Sequence, residues 1–170
     1  MSVIKKNTAR TVALCGVMTA LAIVFGYLEH LIPMPFGIYG LKLGLANLAI
    51  VITLYALNTY YSASINLTRI ILCALLFGSF TSFWYSLIGG ILSFTVMVVI
   101  KKINKFSPIG VSVCGAIAHN LGQIAVAVII TEEFKIALYF PVLMISGAIT
   151  GTLIGIISTA VLKAPVFKAK

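Results

Sequence analysis

Residues Trp84–Lys105 read WYSLIGGILSFTVMVVIKKINK, an apolar run that stops on Lys101, Lys102 and Lys105. The run Trp84–Ile100 carries no charge and approaches the ~20 residues needed to cross a ~30 Å hydrocarbon core. Basic side chains beside a span are held on the cytoplasmic face. The stretch is therefore read as a transmembrane helix that leaves the membrane inward.

The rest of the chain is built in the same way. Of its 170 residues, 61% are hydrophobic and 9% charged, with a mean hydropathy of +1.16, whereas a soluble domain devotes roughly a quarter of its residues to charge. So little charge cannot cover a water-facing surface. The fold class is all-α integral membrane, and a soluble enzyme is excluded.

Most of the net charge of +9 lies in three clusters: Lys5, Lys6 and Arg10; Lys101, Lys102 and Lys105; and Lys163, Lys168 and Lys170. Each borders an apolar run. They mark topology and do not form the basic, aromatic-interleaved surface of a nucleic-acid binder. Six spans satisfy all three clusters, at about 9–28, 41–57, 65–80, 84–100, 109–130 and 136–162, in one transmembrane domain over 1–170. Both termini are then cytoplasmic, in a multi-pass protein of the cell membrane.

The Pro33, Pro35, Gly37 and Gly40 segment breaks any helix and is read as an external loop or re-entrant turn. The first run is too long for a signal-peptide core and has no small-x-small cleavage site. Cys15, Cys73 and Cys114 fall inside spans and are read as packing residues.

Small residues recur at helical spacing on three spans: Ala9, Ala13, Gly16 and Ala20; Gly115, Ala118, Gly122 and Ala125; and Gly147, Gly151 and Gly155. Such stripes let helix backbones approach closely, within the chain or against a second membrane protein. Span one is the best candidate for the second use.

Polar residues at membrane depth usually face the protein interior or a cavity. Span five carries His119, Asn120 and Gln123, span three Asn66 and Arg69, and the start of span two Lys42 and Asn47. Arg69 is expected about one turn into its span, where it can snorkel to the interface.

No nucleophile, base and orienting acid stand at a recognisable spacing, and no Cys/His cluster has ligand spacing. The chain contains no aspartate, which excludes the aspartate-rich magnesium motifs that diphosphate chemistry generally requires. A nucleotide-binding P-loop is also absent. Catalysis by this chain alone is not expected, nor is a metal or cofactor. Binding, translocation or assembly remains.

The stretches Gly40-Leu-Lys-Leu-Gly-Leu-Ala-Asn47, Ser86-Leu-Ile-Gly-Gly-Ile-Leu-Ser93 and Phe106-Ser-Pro-Ile-Gly-Val-Ser-Val113, running on to His119-Asn-Leu-Gly-Gln123, resemble the Gx transporter family. Members of that family are labelled heptaprenyl diphosphate synthase component I. The family is similar to the substrate-binding S components of energy-coupling-factor (ECF) transporters.

The resemblance implies a six-helix S-component-like bundle that binds a small vitamin-like or isoprenoid/quinone-like molecule. It also implies docking of an ECF coupling protein, with its ATPases, on the Ala9/Ala13/Gly16/Ala20 face. Lys42, Asn47, His119, Asn120 and Gln123 would then line the pocket. Lys42 would neutralise an anionic group, Asn47 and Gln123 would supply hydrogen bonds, and His119 would donate or accept by tautomer. The alternative is a non-catalytic membrane scaffold in an isoprenoid/quinone or flavin-linked electron-transfer system, partnered by a prenyltransferase or flavoprotein.

Overall fold

A computed structural model describes residues 8–31, 44–165 and 167, and every regular element in them is helical. Lys42, the Pro33–Gly40 segment, and Lys5, Lys6, Lys168 and Lys170 lie outside the described residues. The elements are α1 (Thr8–Leu31), α2 (Asn47–Ala56), α3 (Thr59–Phe77), α4 (Phe80–Lys102) and α5 (Pro108–Thr131). A 3-10 turn, Phe134–Tyr139, leads into α6 (Phe140–Leu162).

Local chemistry explains where these helices begin. Asn58 accepts the Tyr61 N–H at the start of α3, Ser79 accepts the Ser82 N–H at the start of α4, and Ser107 accepts the Gly110 N–H at the start of α5. Each side-chain oxygen satisfies one of the donors that a helix start leaves open. The extended Gly78–Ser79 pair separates α3 from α4, where the apolar sequence offers little else to divide them. Pro108, in the first turn of α5, needs no N–H partner there.

Five helical segments are long and apolar enough to cross a membrane: Ala9–Leu31, Thr59–Phe77, Phe80–Lys102, Pro108–Thr131 and Phe134–Leu162. The expected second span behaves differently. In place of a helix over 41–57, the described residues form a ten-residue helix, Asn47–Ala56, preceded by a turn. Gly44 sits at φ +83°, a left-handed conformation that glycine adopts without strain. Its carbonyl accepts the Asn47 N–H, so α2 starts only after the chain has turned.

At 1.5 Å per residue, α2 is about 15 Å long, half of what a bilayer requires. Eight of its ten residues are buried. It packs against all five other helices, while α1, α3, α4, α5 and α6 follow one another around it as successive neighbours. Among the described residues α1 and α6 do not meet. The principal core cluster gathers Ile50, Val51, Ile52 and Leu54 of α2 with Met18, Ile65, Met97, Val111 and Ile154 from the surrounding helices.

The glycine stripe of α6 faces α5. A Cβ on Gly151 would lie 2.8 Å from the Val113 Cα, and one on Gly155 would lie 2.5 Å from the Ile109 Cα, so the two backbones touch in the close-approach mode of small-xxx-small packing. Gly122 of α5 meets Gly89 of α4 in the same way, at 2.8 Å. The stripe on α1 is left uncovered. Ala9, Ala13, Gly16 and Ala20 are all exposed, and a Cβ on Gly16 would meet nothing within 4 Å.

Candidate functional site

The start of α2 lies within a buried polar cluster centred on Arg69. This residue is ten positions into α3, about 15 Å along a helix, and is 5% exposed. The snorkelling position expected for it is therefore corrected. Residues 59–64, left between the second and third spans by the sequence boundaries, are already helix behind the Asn58 cap, and Arg69 lies accordingly deeper.

Arg69 donates from Nη2 to Asn47 Oδ1 at 3.3 Å and from Nε to Asn66 Oδ1 at 3.1 Å. Asn66 in turn donates from Nδ2 to the Gly90 carbonyl of α4 at 3.2 Å. A Cβ on Gly90 would lie 3.7 Å from Asn66 Nδ2 and 3.8 Å from Arg69 Nη2, so both side chains pack directly against this glycine. Glu29, buried near the end of α1, accepts the backbone N–H of Leu45 in the turn before α2. Its carboxylate is near enough to the guanidinium for the two charges to interact. One anion and one cation thus share the interior of an apolar bundle, the setting in which charged side chains are costly and usually functional.

Hydrogen bonding fixes the orientation of Asn47. Arg69 can only donate, so the atom facing it is Oδ1 and the amide nitrogen points away. That nitrogen is buried and has no hydrogen-bond partner. It lies 3.1 Å from where a Cβ on residue 44 would be, a position left uncovered because Gly44 has no side chain.

The α5 residues are placed otherwise. His119, Asn120 and Gln123 are all buried, on the helix that packs against both α4 and α6. Asn120 donates from Nδ2 to the Leu143 carbonyl of α6 at 2.7 Å and lies against Gly147, tying α5 to α6. The His119 ring faces α4, where its Nδ1 is 3.1 Å from where a Cβ on Gly89 would be. The neighbouring glycines 89 and 90 thus present one side of α4 to His119 and another to Asn66 and Arg69.

Of the residues chosen from sequence, Asn47 joins the Arg69 cluster, His119 lies at the α4 contact and Asn120 at the α6 contact, Gln123 is buried in α5, and Lys42 lies outside the described residues. Glu29, Asn66 and Arg69 were not chosen. Their signal is one charge of each sign inside or at the edge of apolar runs, with an asparagine one turn before the arginine.

The donor set does not suit magnesium. The sequence has no aspartate, and among the described residues no three His, Cys, Asp or Glu side chains group to hold a metal ion.

In comparison with known proteins, no curated protein and no solved structure matches the chain. Residues 18–161 match the family described as heptaprenyl diphosphate synthase component I. That description denotes one component of a synthase and implies a second that works beside it. The match runs over most of the sequence, and the chain, with its five helices long and apolar enough to cross a membrane, belongs to the heptaprenyl diphosphate synthase component I family.

Proposed function

We propose that this chain is a membrane-embedded substrate-binding subunit, of the S-component type, which holds a small vitamin-like or isoprenoid-like molecule and passes it to partner proteins. The observation that carries the reading is the Glu29–Asn47–Asn66–Arg69 cluster. Two opposite charges and two amides are drawn together at about mid-helix depth in α3 and α4. Helix packing alone is achieved elsewhere in this bundle with glycine.

In this reading the ligand lies at the start of α2. Asn47 contacts it, Lys42 neutralises an anionic group from the adjoining segment, and His119 and Gln123 close the α5 side. Asn120 supports that wall through its bond to Leu143. The exposed Ala9/Ala13/Gly16/Ala20 face of α1 is the docking surface for a coupling protein, supported by the open space around Gly16. Both termini face the cytoplasm, in keeping with the basic clusters.

The test is native mass spectrometry of the chain purified from its own membrane, comparing small molecules carried by wild type, Lys42→Ala and Asn47→Ala. A ligand present on wild type and lost from the variants is expected. Equal retention of every bound species by all three would remove the pocket.

The family description favours a second reading, in which the chain is the membrane scaffold of a two-component prenyl diphosphate synthase and the partner carries the chemistry. Tagged wild-type chain would then retain a prenyltransferase or flavoprotein. Retention of ATP-hydrolysing subunits would instead support transport.

A further inference from the structure

The groups left unused at the start of α2 indicate what kind of ligand the cluster takes, on the reading that it binds one. Each acceptor already holds a donor: Asn47 Oδ1 and Asn66 Oδ1 receive Arg69, and Glu29 receives the Leu45 N–H. The group with no partner is a donor. Asn47 Nδ2 is unpartnered on a residue only 5% exposed, and it stands beside the guanidinium that Asn47 Oδ1 receives. A buried donor without a partner costs about 1–3 kcal/mol, and an oxygen acceptor placed beside it removes that cost.

The position adds to this. Asn47 Nδ2 opens onto the glycine turn at the N-terminus of a ten-residue helix, where the backbone dipole favours an electron-rich group. Helices that begin inside a membrane recognise polar substrate groups at such ends.

Charge limits the choice. Arg69 and Glu29 are the buried cation and carboxylate among the described residues, close enough to offset each other. Lys42, in the role proposed above, adds a single positive charge. A diphosphate brings more than one negative charge, and a buried charge without a counterpart is strongly disfavoured.

We infer that the N-terminus of α2, through Asn47 Nδ2 and Arg69, binds a carbonyl oxygen of an apolar molecule whose head is uncharged or singly anionic, and that it excludes a diphosphate head.

Three probes sharing one tail test this: farnesylacetone, farnesoic acid and farnesyl diphosphate. Each is titrated against the full chain in lipid nanodiscs, with retention read by native mass spectrometry. Wild type is expected to retain at least one carbonyl probe at least tenfold better than the diphosphate. Asn47→Asp keeps the oxygen that faces Arg69 and removes the free donor, so it should lose carbonyl binding at least tenfold while its unfolding temperature stays close to that of wild type. Glu29→Gln keeps an acceptor for the Leu45 N–H but removes the negative charge, and should shift preference towards the diphosphate.

Retention of the diphosphate as tightly as the carbonyl probes, or carbonyl binding by Asn47→Asp within twofold of wild type, would overturn the assignment and leave a binding subunit with another ligand class. Retention of none of the three by folded wild type would overturn the assignment, and the binding reading falls with it where wild type purified from its own membrane also carries no ligand.

Discussion

Lys101, in the last turn of α4, donates its ammonium to the carbonyl of Leu54, in the last turn of α2, and lies 4.9 Å from the centre of the Tyr55 ring. A residue read from sequence as a topology signal is thus also the cap of the central helix. Its positive charge meets carbonyls that a helix C-terminus leaves open.

Lys101→Met should therefore destabilise the fold by about 1.5–3 kcal/mol, the range for a hydrogen bond to a charged group. Lys102→Met, on the exposed neighbour, should change little. Thermal unfolding in detergent measures both, and hydrogen exchange should show the loss concentrated in the last turn of α2.

Replacing Arg69 by methionine should cost more, about 3–5 kcal/mol, because Glu29 is then left buried without its nearby cation. Adding Glu29→Gln to that variant should recover part of the loss. A double-mutant cycle on unfolding free energies isolates the coupling; additive costs would show that the two charges do not act together.

Leucine at Gly151 must displace the α5 backbone at Val113, so Gly151→Leu should lower folded yield and unfolding temperature sharply. Gly16→Leu enters open space and should leave both unchanged. If α1 is the docking face, the same Gly16→Leu chain should lose its membrane partner in a pulldown.

Asn120→Leu removes the bond to Leu143 and should cost about 1 kcal/mol, typical of an interhelical hydrogen bond in a membrane protein. Ligand retention should change less than in Asn47→Ala, which alters the cluster itself.

The long helices were legible because a membrane span is mostly a matter of length and apolarity, and the α3–α4 break has a local cause in Gly78 and the Ser79 cap. The short α2 was not. Its apolar run continues back to residue 41, and the feature that begins the helix late is the backbone conformation of Gly44, which composition does not encode. The depth of Arg69 was missed for a related reason. Thr59, Tyr60, Tyr61, Ser62 and Ser64 look like a polar turn, yet the Asn58 cap commits them to helix.

The site was half legible. Asn47 was found from its polarity at the start of a span, but its partners come from α3 and, through Leu45, from α1. Glu29 was read as the end of a span, since nothing local to it shows that the chain folds back to present a backbone donor. For His119, Asn120 and Gln123 the sequence placed three polar residues on one helix. It could not show that Asn120 turns to α6 and His119 to α4.

The shortness of α2 also bears on how the protein is made. A ten-residue helix buried on nearly all sides is too short to remain in lipid as an independent span while the chain emerges from the ribosome. Its proper surroundings include α5 and α6, which are synthesised after it. A helix of span length can enter a bilayer by itself, whereas the central one is enclosed only once α5 and α6 have followed it, so insertion and folding are separable events for a chain of this design.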